Sequence, residues 1–172
     1  MPIPREPLYV TKPQSPGKVS TINPIKNIRT FAAGASGIGY GRGVVLSSVD
    51  AGLVIPANSA SATFVGVTRE NVDSHETDYT SPAYASGTAV GVLDQGVITV
   101  FVTETIAVGN AVRVVLTATG TAVPGDFCTT SIGGKTAVLT GASYRSASAS
   151  GVNMSGLVAE LFLMPPFTLS AD

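Results

Sequence analysis

The stretch that decides the fold is Val97-Ile98-Thr99-Val100-Phe101-Val102. Both alternating faces of this stretch are apolar except at Thr99, which is typical of a central β-strand covered on both sides by a second sheet or a partner subunit. Short β-branched runs closed by turn residues recur before and after it. They span residues 44–47, 63–67, 89–93, 97–103, 111–119, 137–140 and 156–163. The sequence therefore predicts an all-β fold.

Turn signals between these runs predict how the strands connect. Leu93-Asp94-Gln95-Gly96-Val97 contains a short Asp-to-Gly turn signal, and Thr119-Gly120-Thr121 contains another. Turns of this kind join neighbouring strands antiparallel. The strand expected near residue 114 has one apolar face, made by Val112, Val114 and Leu116. We therefore expect a small antiparallel barrel or sandwich, with loops at the small-residue stretches 31–43 and 143–156.

The N-terminal residues differ from the rest of the chain. Six of the 11 prolines lie at or before residue 24, and proline favours extended backbone. Residues 1–30 hold five basic groups and one acid, whereas the remainder holds five basic and ten acidic groups. The sequence predicts two parts, an extended Pro-rich basic arm over residues 1–31 and a β-rich body over 32–172.

We expect the arm to lie against a partner, since its apolar side chains have no core of their own to enter. Removing residues 1–30 should then leave a folded body. A free tail is the alternative interpretation. The predicted partner-binding residues are Ile3, Arg5, Leu8, Tyr9, Lys12, Lys18, Ile22, Ile25, Lys26, Ile28 and Arg29, with Val10 and Val19 as further apolar anchors.

Composition and charge exclude several classes of protein. Only 12% of residues are charged and the net charge is −1, so no basic field for nucleic acid is expected. The single cysteine, Cys128, cannot form an intrachain disulfide. No signal peptide and no apolar run of membrane-spanning length is found, so we expect synthesis in the cytoplasm and no membrane partner.

Candidate catalytic motifs are incomplete. The glycines of residues 34–39 lack dinucleotide-binding spacing, and Gly133-Gly134-Lys135-Thr136 lacks the P-loop glycine at position 129, which is Thr129. His75 is the one histidine, in an acidic segment whose spacing matches no calcium loop. Cys128 has no histidine near it in sequence to activate it. We predict no catalytic residues, no metal and no cofactor, and therefore no enzyme.

Several strand-and-turn motifs between residues 40 and 163 together resemble one protein family, the structural cement or capsid decoration proteins of tailed bacteriophages. The motifs are Gly41-Arg42-Gly43-Val44-Val45-Leu46, Phe64-Val65-Gly66-Val67, Gly96-Val97-Ile98-Thr99-Val100, Val108-Gly109-Asn110-Ala111-Val112, Gly141-Ala142-Ser143-Tyr144 and Gly156-Leu157-Val158-Ala159-Glu160-Leu161.

The resemblance implies a virion protein on the outer face of the capsid, made in the host cytoplasm. It would bind the major capsid protein, form a homo-oligomer that is often a trimer, and cement neighbouring capsid subunits against the pressure of packaged DNA. The alternative is a carbohydrate- or receptor-binding β module of a head fibre or tail component. Such a module needs exposed aromatic platforms, for which the candidates are Tyr40, Tyr79, Tyr84 and Tyr144.

Overall fold

The structure is a computed structural model that describes residues 15–20, 26–34, 37–70, 83–150 and 156–172. Within these ranges it contains strands and no helix, which confirms the predicted all-β class. No membrane-spanning helix therefore occurs in the described ranges. The strands are β1 (Asn27–Ala33), β2 (Ile38–Gly39), β3 (Gly43–Leu46), β4 (Leu53–Pro56), β5 (Phe64–Thr68), β6 (Ala83–Tyr84), β7 (Ala89–Val102), β8 (Arg113–Val115), β9 (Phe127–Cys128), β10 (Thr136–Tyr144), β11 (Ala149–Ser150) and β12 (Leu157–Ala171).

Strand pairing closes two rings of five strands that share β7. The first ring runs β1-β4-β3-β5-β7 and closes where β1 pairs with β7. The second ring runs β7-β9-β8-β10-β12 and closes where β12 pairs with β7. Most pairs are antiparallel, and the exceptions in these rings are β1 with β4 and β7 with β9. The predicted small barrel is confirmed, and β2, β6 and β11 are additional strands outside the two rings.

Strand β7 is continuous, so the hairpin predicted at residues 93–97 is wrong. The strand runs through this segment for 14 residues. Its first half pairs with β1 and β5, and its second half pairs with β12 from Gly96 to Val102. A turn here would break both rings, so the pairing of the whole strand overrides the local turn signal.

The turn residues instead form a bulge at the junction of the two rings. Gly96 has φ of 129°, and the register of β1 against β7 shifts near Gln95. Leu93 and Ile98 lie an odd number of residues apart, yet both enter the same buried cluster. A regular strand would place them on opposite faces, whereas a bulge shifts the alternation by one residue.

Two large buried clusters form most of the core, beside a small third one of Val115, Ala122 and Cys128. The main cluster takes side chains from all five strands of the second ring and also from β3 and β5, including Val45, Phe64 and Phe127. The second cluster joins all five strands of the first ring with the small β2-β6 sheet, and includes Val44 and Val92. Because β3, β5 and β7 supply side chains to both clusters, the two rings pack as one body.

Further sequence predictions, for one turn, one strand and two loops, can be compared with the structure. The turn at Gly120 is confirmed, since Thr119 and Ala122 exchange backbone hydrogen bonds of 3.0 and 3.1 Å. The strand predicted over residues 111–119 is shortened to β8, but its apolar face is buried as expected. The loops predicted at 31–43 and 143–156 are wrong in part, because β1, β2, β3, β10 and β11 all enter these stretches.

Candidate functional site

Residues 15–20 of the predicted arm lie along the second half of β7. Gly17 donates its N–H to the Thr99 carbonyl at 2.8 Å, and Ser20 donates to the Val97 carbonyl at 2.8 Å. In return, the Thr99 N–H donates to Lys18 at 3.0 Å. Residues 15–20 therefore act as a short extra strand, and we call this segment the anchor.

The anchor is fitted closely into the body. The Gly17 carbonyl accepts a hydrogen bond from Glu70, just after β5, at 2.8 Å. Gly17 has φ of 81°, and a Cβ added there would lie 2.5 Å from the Glu70 nitrogen. On the other side, a Cβ on Gly41 would lie 2.8 Å from Cβ of Pro16. Pro16 and Gly17 are buried, so the anchor holds the end of β5 and the second half of β7 together.

Four of the predicted partner-binding residues lie in the described part of the chain. Lys18 and Lys26 are exposed, and Ile28 is 37% exposed in β1. Arg29, also in β1, forms an ion pair of 2.8 Å with Asp94 of the bulge. The other predicted partner-binding residues lie outside the described residues; they are Ile3, Arg5, Leu8, Tyr9, Lys12, Ile22 and Ile25. Val10, a further predicted anchor, also lies outside them.

The structure moves part of the predicted arm into the body. Residues 27–31 form most of β1, which closes the first ring. Val19, expected to enter a partner, instead bridges to Ile98 and packs against the main cluster. The sequence predicted that the side chains of the arm have no core of their own to pack into. In the structure, the anchor (residues 15–20) and residues 27–31 of β1 both hydrogen-bond to β7. A cut at residue 30 would remove the anchor and most of β1, whereas a cut after Gln14 leaves both in place.

A buried ion pair that sequence patterns missed joins the two rings. Arg42, just before β3, pairs with Asp126, just before β9, and its guanidinium lies 4.7 Å from the centroid of the Phe101 ring. Burial lowers the pKa of Arg42 to about 10. Because an unpaired buried charge is costly, this pair fixes how the rings approach each other. Its one sequence signal is a charged residue between two glycines, Gly41 and Gly43.

A polar cluster holds the C-terminal end of β12. Glu104 accepts hydrogen bonds from the backbone of Thr129 at 2.6 Å and Thr130 at 2.7 Å. Arg113 donates to Asp172 at 2.9 Å. Burial opposes ionisation of Glu104, but hydrogen bonds from Thr130 and Thr129 outweigh it and hold its pKa below the usual value. The cluster therefore favours carboxylates in their charged form.

The remaining sequence motifs do not assemble a reactive centre among the described residues. Residues 133–135 form the turn before β10, where Lys135 donates to Ile132 at 2.8 Å. Cys128 is buried, and this burial raises the pKa of its thiol to about 12. A thiol of that pKa is not a nucleophile at neutral pH. His75 lies outside the described residues, and the described ranges hold no cluster of His, Cys, Asp and Glu suited to a metal ion.

The candidate tyrosines in the described part of the chain are buried and do not provide sugar-binding platforms. Tyr40 and Tyr84 are each 5% exposed and pack edge to face with ring centroids 5.1 Å apart. Tyr144 is 2% exposed and donates to the Cys128 carbonyl at 2.9 Å. Tyr79 lies outside the described residues. Three of the four candidate platforms are therefore core residues.

The described part of the chain is thus a double-ring β body with an anchored N-terminal segment. A chain of the solved structure titled "The capsid of Myoviridae Phage XM1" shares the fold, with a TM-score of 0.66 and 18% identity over 94% of this chain and 97% of that one. A family model described as "Structural cement protein (E217 gp24/Pam3 gp6)" matches residues 9–159. The chain therefore belongs to this phage structural cement family, which confirms the resemblance seen in its sequence. A search of curated proteins finds no match.

The close fit of Gly17 predicts the effect of adding one methyl group there. Gly17→Ala combines an unfavourable φ with a clash against Glu70 backbone, and we expect it to lower the free energy of unfolding by about 2–4 kcal/mol. Hydrogen exchange at the Thr99 N–H should accelerate as the anchor leaves β7. The control is Gly134→Ala, where φ is 69° but nothing lies within 4 Å of the added Cβ, so the cost should be only about 1 kcal/mol. Equal losses in the two variants would contradict the packing argument.

The polar cluster predicts loss of stability in acid. The pKa of Glu104 is lower in the folded protein than in the unfolded chain, so its charge stabilises the fold above the unfolded pKa. That stability is lost as the pH falls from above the unfolded pKa through the lower folded pKa. We expect Glu104→Gln to be less stable than wild type at pH 7 and to lose less on acidification, as measured by urea midpoints at each pH. Parallel pH curves would show that Glu104 does not contribute.

Proposed function

We propose that this protein binds the outside of a phage head and cements neighbouring major-capsid subunits against internal pressure. Its membership of the structural cement family supports a capsid-stabilising role. The observation that carries the mechanism is the anchor, because it joins the N-terminal residues to β7 by hydrogen bonds in both directions. Residues 1–14 precede this fixed point and include Ile3, Arg5, Leu8, Tyr9 and Lys12.

The anchor gives a direct route for mechanical load. Tension on residues 1–14 passes through Gly17 and Ser20 into β7, which is hydrogen-bonded in both rings. Because this tension acts parallel to the anchor and β7, it is shared by several of the hydrogen bonds between them at the same time. Weak contacts made by the arm and by the body then act together, and this raises the effective affinity for the capsid without any single strong site.

The proline content of residues 1–14 favours an extended segment. At roughly 3.1 Å per residue in polyproline geometry, 14 residues would span about 40 Å. That length is enough to leave the footprint of a small body and reach a second subunit. Apolar side chains alternate with Arg5 and Lys12 in this segment, so binding should combine apolar contact with charge attraction.

The other partner proposals follow from the same role. We place the protein on the outer face of the virion after synthesis in the host cytoplasm, with the major capsid protein as its partner and neither nucleic acid nor membrane as a ligand. A homo-oligomer, with a trimer favoured, is part of the proposal. It is supported by Val97 and Phe101, which lie on the face of β7 away from the main cluster and remain partly exposed.

Deleting residues 1–14 tests the role of the arm. The anchor remains, so the shortened protein should keep its fold and urea midpoint while binding isolated heads at least about 10-fold more weakly. Added salt should weaken the intact protein only in part, because apolar contacts persist when charges are screened. The measurement is co-sedimentation with heads that lack the protein, over a range of salt concentrations.

The matched control for the deletion replaces residues 1–14 with a Gly/Ser sequence of equal length. This variant should bind heads as weakly as the deletion, because a Gly/Ser segment has the length of the arm but lacks the apolar and basic side chains that would contact the capsid. Wild-type affinity in the deletion would show that the body alone carries the binding.

Light scattering of the free protein tests self-association. We expect a mass about three times that of the 17.4 kDa chain at micromolar concentration. A monomer mass under these conditions would contradict association of the free protein, and heads would then be required for any contact between copies.

A further inference from the structure

The last part of β12 is an open sheet edge. Residues 168–171 pair with β10, residues 164–167 lie where the β10–β12 register shifts, and the pairing of β12 with β7 ends at Leu163 and Gly96. No other described strand takes its place. None of the eight residues is buried, and Met164 is 51% exposed. This part of β12 therefore offers one side of its backbone to a further strand.

Hydrogen bonding in the neighbouring strand shows which groups point outward. Leu139 of β10 donates its N–H to Val112, towards β8, at 2.9 Å. Because backbone groups alternate in direction, Leu139 does not bond to Leu169, its partner in register on β12. The N–H and C=O of Leu169, and by the same alternation those of Ala171, therefore point away from β10 into the open edge.

The edge lacks the charged side chains that often prevent strand addition. Charged side chains protect many edge strands, and β1 has Arg29 along its exposed part, with Lys26 just before it. By contrast, residues 161–171 contain no charged side chain, and Pro165 and Pro166 restrict only the start of the open part. Phe167 and Leu169 pack against the main cluster but remain partly exposed. A further strand with apolar side chains on that face would complete their burial.

We propose that this edge receives residues 8–12 of a neighbouring copy of the same chain. The inference rests on the proposed function, in which residues 1–14 reach beyond their own subunit. Leu8-Tyr9-Val10-Thr11-Lys12 is the proline-free run between Pro7 and Pro13, and it is rich in residues that favour strands. Its five residues match the open stretch from Phe167 to Ala171 in length.

The side-chain pattern of this run suits the edge. In a strand, Leu8 and Val10 share one face, so they would extend the apolar row begun by Phe167 and Leu169. Lys12 lies at the end of the same face, and a parallel pairing would place it beside the Asp172 end of the edge. Strand addition supplies affinity through backbone hydrogen bonds and specificity through alternate side chains. Cementing would then link copies to one another as well as to the capsid.

Photo-crosslinking on decorated heads identifies the occupant. The full chain carries p-benzoylphenylalanine in place of Ser170, whose exposed side chain lies beside the outward groups of Leu169 and Ala171. After irradiation we expect a dimer of this chain in which Ser170 is joined to the peptide containing residues 8–12. A product with the major capsid protein, a link within one chain, or no product would each overturn the proposal.

An edge-blocking variant provides a second readout. Ser170→Lys with Ala171→Pro adds a charge and removes one outward N–H, and it should reduce the arm crosslink, read from p-benzoylphenylalanine at Tyr9, by at least about 10-fold. The control is Thr121→Lys, an equal charge at an exposed turn position away from β12, which should leave the crosslink unchanged. Equal crosslinking in both variants would overturn the inference. If deletion of residues 1–14 still weakens head binding in that case, the proposed function stands without it.

Discussion

The structure depends on one constraint, that a single strand must be hydrogen-bonded in two rings. Strand β7 pairs with β1 and β5 in its first half and with β12 in its second half. The two halves present opposite alternation to the main cluster, so a bulge at Gly96 is needed between them. Asp94 lies at this junction and is held by Arg29 and Asn27 of β1. The bulge, the ion pair and the closure of the first ring therefore depend on one another.

The N-terminal segment is best understood as part of this arrangement. The anchor and β1 both lie against β7, so the chain contacts the shared strand before and after residues 21–25. The buried pair of Arg42 and Asp126 connects the same two rings at another point. The anchor, β1 and the buried pair therefore couple the N-terminal segment to both rings of a protein of the structural cement family.

Much of this architecture could be predicted from sequence, for physical reasons that also explain the errors. Alternating β-branched residues identify strands because side-chain burial acts locally, and one face of β7 (Ile98, Val100, Val102) and the apolar face of β8 are buried as expected, whereas Val97 and Phe101 on the other face of β7 stay partly exposed. The Asp-to-Gly signal at residues 94–96 gave a false turn, because a bulge uses the same flexible residues as a hairpin. Val19 and β1 were assigned to the arm because their partner, β7, lies about 70 residues later. The Arg42 pair was missed because long-range charge contacts leave no periodic signal.

The position of β7 in the chain also sets the order in which the molecule can fold. The anchor and β1 are synthesised well before residues 89–102, and β12 comes last. Neither ring can close until β7 has left the ribosome, and the second ring must also wait for the final strand. The earliest residues therefore spend most of synthesis without their pairing partner. Contacts of such high sequence separation make folding slow, because the two rings close only through residues far apart in the chain.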